Sequence, residues 1–278
     1  MTRAGPGRSL YRIAAAVLGF ALAVAAAPAA PNDIPDPAVT LLSGGGLRPD
    51  GTYRAGLEIA MGPGWKTYWR QPGDSGIPPT FDFSGSGNLA SVTIAYPAPV
   101  RERDPGGESL VYHDEVLFPL TVTPADPSQP VRLLAEVRFG YCREICIPAL
   151  KDTWVLFTPD AGPDVGATVA IAAAEAAVPV PEAAGLLPRL AGLEAEADGS
   201  FLIEVEAESA EAPVDVFAEG PTEDWRLPLP QLVSREGTHA VFRLRIGGVP
   251  DGATAVGAAV RFTMVGQHLA TEAVRTLP

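Results

Sequence analysis

The chain has only two cysteines, Cys142 and Cys146, and three residues separate them. Two sulfur atoms this close in sequence can form a small structural disulfide, exchange reversibly between dithiol and disulfide, or bind a soft metal ion such as Cu(I). All three possibilities depend on how the backbone holds the two side chains, so the flanking sequence has to be considered first.

The residues on both sides of the cysteines have the pattern of β-strands. Hydrophobic and charged residues alternate from Val131 to Phe139, and a second strand-like run covers residues 152–158. On a helix, Cβ atoms four residues apart are about 5–6 Å from each other, which is too far for the roughly 3.5–4.5 Å of a disulfide. Facing residues at the neck of a hairpin are about 4.5–5.5 Å apart. The spacing therefore predicts a hairpin with a three-residue loop, Arg143 to Ile145.

A disulfide at this position would contribute little as a structural crosslink. Closing a ring of five residues removes chain entropy worth about 2 kcal/mol, and the hairpin already holds these residues together. A reversible redox pair at an accessible tip is the alternative interpretation. The spacing alone does not decide between the two.

Residues 1–30 have the pattern of a secretory signal peptide. Arg3, Arg8 and Arg12 precede an apolar run from Ile13 to about Ala27, and small residues follow. The apolar run is shorter than the roughly 20 residues of a membrane-spanning helix. We therefore expect an exported protein without a membrane span after signal removal, in a compartment where disulfides form.

Composition narrows the fold and the partners. The formal net charge of −13 disfavours nucleic acid and anionic membranes as partners. With 29 Gly and 29 Pro between short alternating segments, the sequence predicts an all-β protein. We expect two immunoglobulin-like β-sandwich domains, at residues 31–162 and 188–278. They would be joined at 163–187 by a short Ala-rich helix or linker, with Asp164 as N-cap.

An aromatic stretch stands ahead of the cysteines. Trp65, Tyr68 and Trp69 fall within five residues, followed by a Pro- and Gly-rich segment up to Pro79. These aromatics either plug the edge of the first sandwich or, with Tyr141, form a wall around the cysteine tip.

Five motifs occur in an order that resembles the amino-terminal domain of the thiol:disulfide interchange protein DsbD and its relatives called suppressor of copper sensitivity protein B. They are GWKTYWR at 64–70, PGDSGIPP at 72–79, YPAP at 96–99, YHDEV at 112–116 and CREICIP at 142–148. The motifs lie between about residues 50 and 158, and the rest of the chain resembles the second group more loosely.

The resemblance implies an immunoglobulin-like periplasmic domain that needs no cofactor and relays reducing equivalents through Cys142 and Cys146 to disulfides of partner proteins. A periplasmic thioredoxin-like protein or a membrane electron-transfer protein would donate or accept the thiols. Residues 100–107 correspond to the loop that covers the sulfurs in the family, but they contain no aromatic residue. The sequence contains neither the membrane domain nor the thioredoxin-like domain of DsbD, so we expect a separate protein to reduce it.

Within this scheme we expect Cys146 to attack as a thiolate and Cys142 to resolve the mixed disulfide. Arg143 would favour the thiolate by its charge, and Glu144 would oppose it. The candidates for supporting groups are Tyr68, Trp69, Tyr141, Glu115 and Arg143.

Two other functions are compatible with the same residues. The cysteines together with His113 could bind Cu(I) in a copper-tolerance protein. Alternatively, the chain is a non-catalytic interaction module in which a small structural disulfide clips the hairpin.

Overall fold

The structure is a computed structural model that describes residues 1–2, 34–104 and 106–278. Residues 35–278 form one compact unit. The predicted signal peptide falls almost entirely outside the described residues. Within the described residues, no helix has the length and hydrophobicity required to cross a membrane.

The first half of the unit contains ten strands. They are β1 (Ala38–Ser43), β2 (Tyr53–Ala60), β3 (Lys66–Gly73), β4 (Thr80–Asp82), β5 (Leu89–Ile94), β6 (Val100–Asp104), β7 (Gly107–His113), β8 (Glu115–Pro124), β9 (Val131–Cys142) and β10 (Cys146–Phe157).

These strands form two sheets. One has the strand order β1-β2-β8-β5, and the other has the order β10-β9-β3-β7-β6 with β4 paired to β9. Alternate residues of β9 are buried between the sheets: Val131, Leu133, Ala135, Val137 and Phe139 are all at most 1% exposed. This period of two is the pattern that the sequence showed, and it leaves the second face of β9 and β3 free to carry other groups.

A single helix, α1 (Val165–Ala176), follows the first half, and Asp164 caps it by accepting a hydrogen bond from the amide of Ala167. The helix packs on the outer face of the first sheet, where Ile171 lies over Gly56. Arg54 on β2 forms a two-pronged ion pair with Glu175. The Ala-rich segment is thus a docked helix and not a free linker.

The second half contains eight strands. They are β11 (Val180–Pro181), β12 (Arg189–Ala195), β13 (Phe201–Glu206), β14 (Asp215–Glu219), β15 (Gln231–Glu236), β16 (His239–Leu244), β17 (Ala259–Val265) and β18 (Ala270–Thr276). They form two four-stranded sheets, β11-β18-β17-β14 and β12-β13-β16-β15. Alternating residues such as Ile203, Phe242 and Phe262 fill a second hydrophobic core. The all-β, immunoglobulin-like prediction is confirmed.

Ion pairs and aromatic contacts join the two halves. Arg70 on β3 pairs with Glu219 at 2.8 Å and with Glu272 at 2.6 Å. Burial alone would lower the pKa of Arg70, but its hydrogen bonds and attraction to Glu219 and Glu272 outweigh this and raise it. The neighbouring Trp69 is fully buried, and its ring centroid is 5.8 Å from that of Phe217.

The β6–β7 hairpin makes a second connection. Arg101 on β6 donates hydrogen bonds to both carboxylate oxygens of Asp215, at 2.8 Å each, and is also bound to Glu108 on β7. Glu108 accepts a further hydrogen bond from Gln231 in the second half. One side of this hairpin is therefore anchored in the second sandwich.

We expect Arg70→Met to lower the free energy of unfolding by about 2–4 kcal/mol, because it leaves two partly buried carboxylates without their cation. Urea denaturation would measure the change. Arg245→Met is the matched control, since Arg245 is exposed in the second half and should change stability by less than about 0.5 kcal/mol. Equal stabilities for the two variants would contradict the role assigned to Arg70.

Candidate redox site

Cys142 ends β9 and Cys146 begins β10, and the two residues are directly paired in the antiparallel register. Their sulfurs form a disulfide, with the Cα atoms 4.2 Å apart. Arg143, Glu144 and Ile145 form the loop between them, and all three are exposed. The predicted hairpin tip is therefore present, with the sulfur pair at its neck.

The two cysteines differ in exposure. Cys142 is only 4% exposed, whereas Cys146 is an exposed residue. Exchange requires a thiolate to approach one sulfur of a disulfide along an open path. In this geometry Cys146 is the more accessible of the two residues to an incoming group, and Cys142 is shielded.

Tyr68 lies against both sulfurs. It points to the outer face of β3, away from the core of the sandwich, and packs there with Val111 and Cys142. Its hydroxyl donates a hydrogen bond to Cys142 Sγ at 3.0 Å and lies 3.6 Å from Cys146 Sγ. Burial raises the pKa of Tyr68, so the phenol keeps its proton and remains a donor at neutral pH.

The segment between β3 and β4, residues 74–79, covers this site. Gly76 has a φ of +122° and lies so close to the Tyr68 ring that an added Cβ would be 2.2 Å from it. The carbonyl of Ile77 accepts a hydrogen bond from the amide of Gly140 at 3.0 Å. A Cβ on Gly140 would meet Ile77 at 2.9 Å and Cys146 Sγ at 3.3 Å. The absence of side chains at Gly76 and Gly140 is what allows the segment to lie against the sulfurs.

The stretch at 100–107, which the resemblance predicts to cover the cysteines, borders the site from the edge of the sheet. Apart from Pro105, which is not described, it forms β6 and the turn into β7 at the far edge of the sheet. Its carboxylates reach Lys66 on β3, which is only 6% exposed. The Lys66 ammonium is 2.5 Å from Glu102 and 2.8 Å from Asp104. Lys66 is also the residue directly opposite Cys142 on the neighbouring strand.

The loop of the hairpin rests on a Trp and a Tyr. The Arg143 guanidinium lies 5.3 Å from the centroid of the Trp65 ring, and Trp65 packs on Tyr141 with centroids 4.9 Å apart. Asp114, in the turn before β8, accepts a 2.6 Å hydrogen bond from the amide of Gly64 and so fixes the backbone ahead of Trp65. Arg143 in the hairpin loop is therefore packed on the Trp65 ring, which itself rests on Tyr141.

The other predicted residues lie elsewhere. Trp69 is in the core against Phe217, on the face of β3 opposite to Tyr68. Glu115 is exposed at the start of β8, in the other sheet, where it pairs with Ala60. His113 is two strands away from Cys142, and its Nε2 atom is 3.1 Å from Glu102. Of the residues proposed as supporting groups, Tyr68, Tyr141 and Arg143 adjoin the cysteines.

The Cu(I) alternative gains no third ligand from this arrangement, because His113 contacts a carboxylate and not the sulfurs. Within residues 34–104 and 106–278, no cluster of three or more His, Cys, Asp or Glu side chains is arranged to hold a metal ion.

Sequence reasoning missed Lys66, Glu102, Asp104, Gly76 and Ile77. Lys66 alternates with Trp65 and Thr67, which point to the core, so the period of two places it on the same face as Tyr68. The alternation in the sequence is therefore enough to place Lys66 on the same face as Tyr68. The pairing of β3 with β7 and β9, which brings the carboxylates and Cys142 to this face, is a long-range property that no local pattern encodes.

We expect Tyr68→Phe to raise the pKa of the Cys142 thiol by about one unit, because hydrogen bonds to charged groups contribute about 1.5–3 kcal/mol. The thiolate absorbance of a Cys146→Ser background, in which Cys142 is the only thiol, would report the titration. Tyr141→Phe is the control, since Tyr141 adjoins Cys142 in sequence but packs on Trp65 on the opposite face. A shift of equal size in the Cys142 thiol pKa of both variants would contradict the assignment of Tyr68 as the hydrogen-bond donor to Cys142.

Comparison with known proteins finds one similar family and a similar solved structure. Residues 38–158 match the family described as thiol:disulfide interchange protein DsbD, N-terminal. A search of curated proteins found no match. The structure resembles the crystal structure of the N-terminal periplasmic domain of ScsB from Proteus mirabilis, with a TM-score of 0.66 and 19% sequence identity over 87% of this chain and 91% of that one. At this identity the likeness concerns the fold. Residues 38–158, which include both cysteines, are thus similar to the DsbD amino-terminal family.

Proposed function

We propose that the chain transfers two electrons between proteins through reversible formation of the Cys142–Cys146 disulfide. The observation that carries the proposal is the asymmetry of the pair at the hairpin tip. Cys146 is exposed, whereas Cys142 is buried and receives a hydrogen bond from Tyr68. This division matches what exchange requires, which is one sulfur that meets the partner and a second that stays protected until the first has reacted.

In the first step the Cys146 thiolate attacks one sulfur of a partner disulfide. A bond forms between Cys146 Sγ and that sulfur, the partner's S–S bond breaks, and the second partner sulfur leaves with the electron pair and takes up a proton. Ile145 and Arg143 flank the attacking sulfur and are exposed, so both would lie in the contact with the partner.

In the second step the Cys142 thiolate attacks Cys146 Sγ and breaks the mixed disulfide. The partner leaves as a dithiol with two electrons and the two protons of the original thiols, and Cys142 and Cys146 end as the disulfide present in the structure. The 3.0 Å hydrogen bond from Tyr68 stabilises the Cys142 thiolate, which is the nucleophile here and the leaving group in the reverse direction.

A dithiol protein has to restore the reduced pair by the reverse sequence. A thioredoxin-like protein or a membrane electron-transfer protein has the required chemistry, because both present paired thiols. The related structure from Proteus mirabilis is described as periplasmic, and the signal pattern at residues 1–30 predicts export. We therefore place the exchange in the periplasm.

A trapping experiment with single-cysteine variants tests the proposal. Cys142→Ser leaves the exposed Cys146 thiol, so we expect it to form a stable mixed disulfide with oxidised glutathione at least tenfold faster than Cys146→Ser, which leaves only the buried thiol. Intact mass measures the adduct, and the double serine variant is the blank. Equal rates of mixed-disulfide formation in the two single-serine variants would contradict the assignment of Cys146 as the attacking thiol and Cys142 as the resolving thiol.

The wild-type protein supplies the second test. Incubation in glutathione buffers followed by alkylation should show a reversible transition between dithiol and disulfide at a potential between about −100 and −350 mV. Failure to find any transition in this range would refute an exchange function and leave the disulfide as a structural clip.

A further inference from the structure

We propose that Lys66, held by Glu102 and Asp104, sets the thiol–disulfide equilibrium of the cysteine pair by placing a buried positive charge beside Cys142. The inference rests on the proposed exchange function and deepens it.

The position of Lys66 is fixed by strand register. Lys66 on β3 pairs directly with Cys142 on β9 and with His113 on β7. Directly paired residues in an antiparallel sheet point to the same face, with Cβ atoms about 4.5–5.5 Å apart. Lys66 and Cys142 are therefore neighbours on the outer face, and Tyr68, two residues further along β3, completes the group.

Lys66 is an unusual residue for this position. Its side chain is only 7% exposed, and lysine is rarely buried to this extent unless it is paired. Two carboxylates hold it, Glu102 at 2.5 Å and Asp104 at 2.8 Å, and Glu102 also contacts His113 at 3.1 Å. Burial alone would lower the pKa of Lys66, but the hydrogen bonds to Asp104 and Glu102 outweigh it and raise the pKa, so the ammonium stays charged.

The charges of this cluster act where the sulfurs are. The Tyr68 hydroxyl, which contacts both sulfurs, is in the field of Lys66, Asp104 and Glu102, and Lys66 is the largest of the three charge effects on the pKa of that phenol. A nearby cation lowers the pKa of a thiol, and a nearby carboxylate raises it. A stabilised thiolate favours the reduced pair, and the equilibrium with glutathione shifts accordingly.

The cation and the carboxylates of the cluster act on the thiolate in opposite directions. Variants of Lys66 and variants of the carboxylates should therefore shift the thiol–disulfide equilibrium in opposite directions. Removing Lys66 takes away the cation and leaves the two carboxylates uncompensated, so the reduced form is destabilised. Removing a carboxylate strengthens the cation's effect, so the reduced form is stabilised. Loss of packing at either residue has no reason to produce opposite directions.

The experiment measures two quantities in each variant: the equilibrium constant for reduction by glutathione, and the Cys142 thiol pKa in a Cys146→Ser background. Lys66→Met should lower the equilibrium constant at least tenfold, which for a two-electron couple corresponds to about 30 mV towards more reducing potentials. Its thiol pKa should rise. Glu102→Gln and Asp104→Asn should each raise the equilibrium constant at least threefold and lower the thiol pKa. Lys66→Arg keeps the charge and should stay within threefold of wild type.

Lys151→Met is the matched control. Lys151 lies on β10, five residues beyond Cys146, and its ammonium pairs with Asp36. At about 3.4 Å per residue this is roughly 17 Å along the strand, beyond the Debye length of about 8–10 Å. The control should leave both quantities within twofold of wild type.

The outcomes separate the two proposals. A wild-type protein with no glutathione transition refutes the exchange function, and the thiol pKa values still decide whether Lys66 acts on Cys142. The second outcome is a wild-type protein that shows the transition, while the Lys66 and carboxylate variants leave the equilibrium constant and the thiol pKa unchanged or shift them in the same direction. This result overturns the inference and leaves the exchange function intact. If Lys66→Met does not fold, the Glu102→Gln and Asp104→Asn variants decide alone, and an absence of the predicted fall in thiol pKa overturns the inference.

Discussion

The antiparallel pairing of β9 with β10 is the constraint on which the site depends. Twelve residue pairs from Val131–Phe157 up to Cys142–Cys146 hold the two strands in a single register. The inward residues of β9 fill the core of the first sandwich, so a slip of one residue would turn that whole set towards solvent. The hydrophobic core thereby fixes the meeting point of the sulfurs, although neither sulfur belongs to that core.

Strand β3 shows how one segment serves both stability and chemistry. Its inward residues, Trp65, Thr67 and Trp69, pack in the core or bind the backbone, as Thr67 does by donating to the Gly140 carbonyl at 2.8 Å. Its outward residues, Lys66 and Tyr68, face Cys142. Because the rigid inward side sets the position of the outward side, the phenol and the ammonium are preorganised around the disulfide.

The sequence was most informative where structure is local. Period-two alternation located the strands, Asp164 marked the start of the helix, and the spacing of Cys142 and Cys146 predicted the loop of the hairpin. It was least informative about which strands become neighbours. The resemblance predicts a covering segment at residues 100–107, and motif order alone cannot show that Gly76 and Ile77 also fold back against Tyr68 and Gly140. Trp69 and Glu115 are among the sequence candidates, and only the sheet order shows that Trp69 faces the core and Glu115 lies in the opposite sheet.

The β6–β7 hairpin has alternating side chains that face two different neighbours. Arg101 is bound to Asp215 in the second sandwich, and the adjacent Glu102 is bound to Lys66 beside the cysteines. The contacts that hold the surroundings of the cysteines therefore extend beyond the stretch that matches the family, which ends at residue 158. A fragment that ends after the first sandwich would lose the acid that anchors Arg101 and the acids that neutralise Arg70. The end of the family match is therefore not the end of the structure that supports the cysteine hairpin.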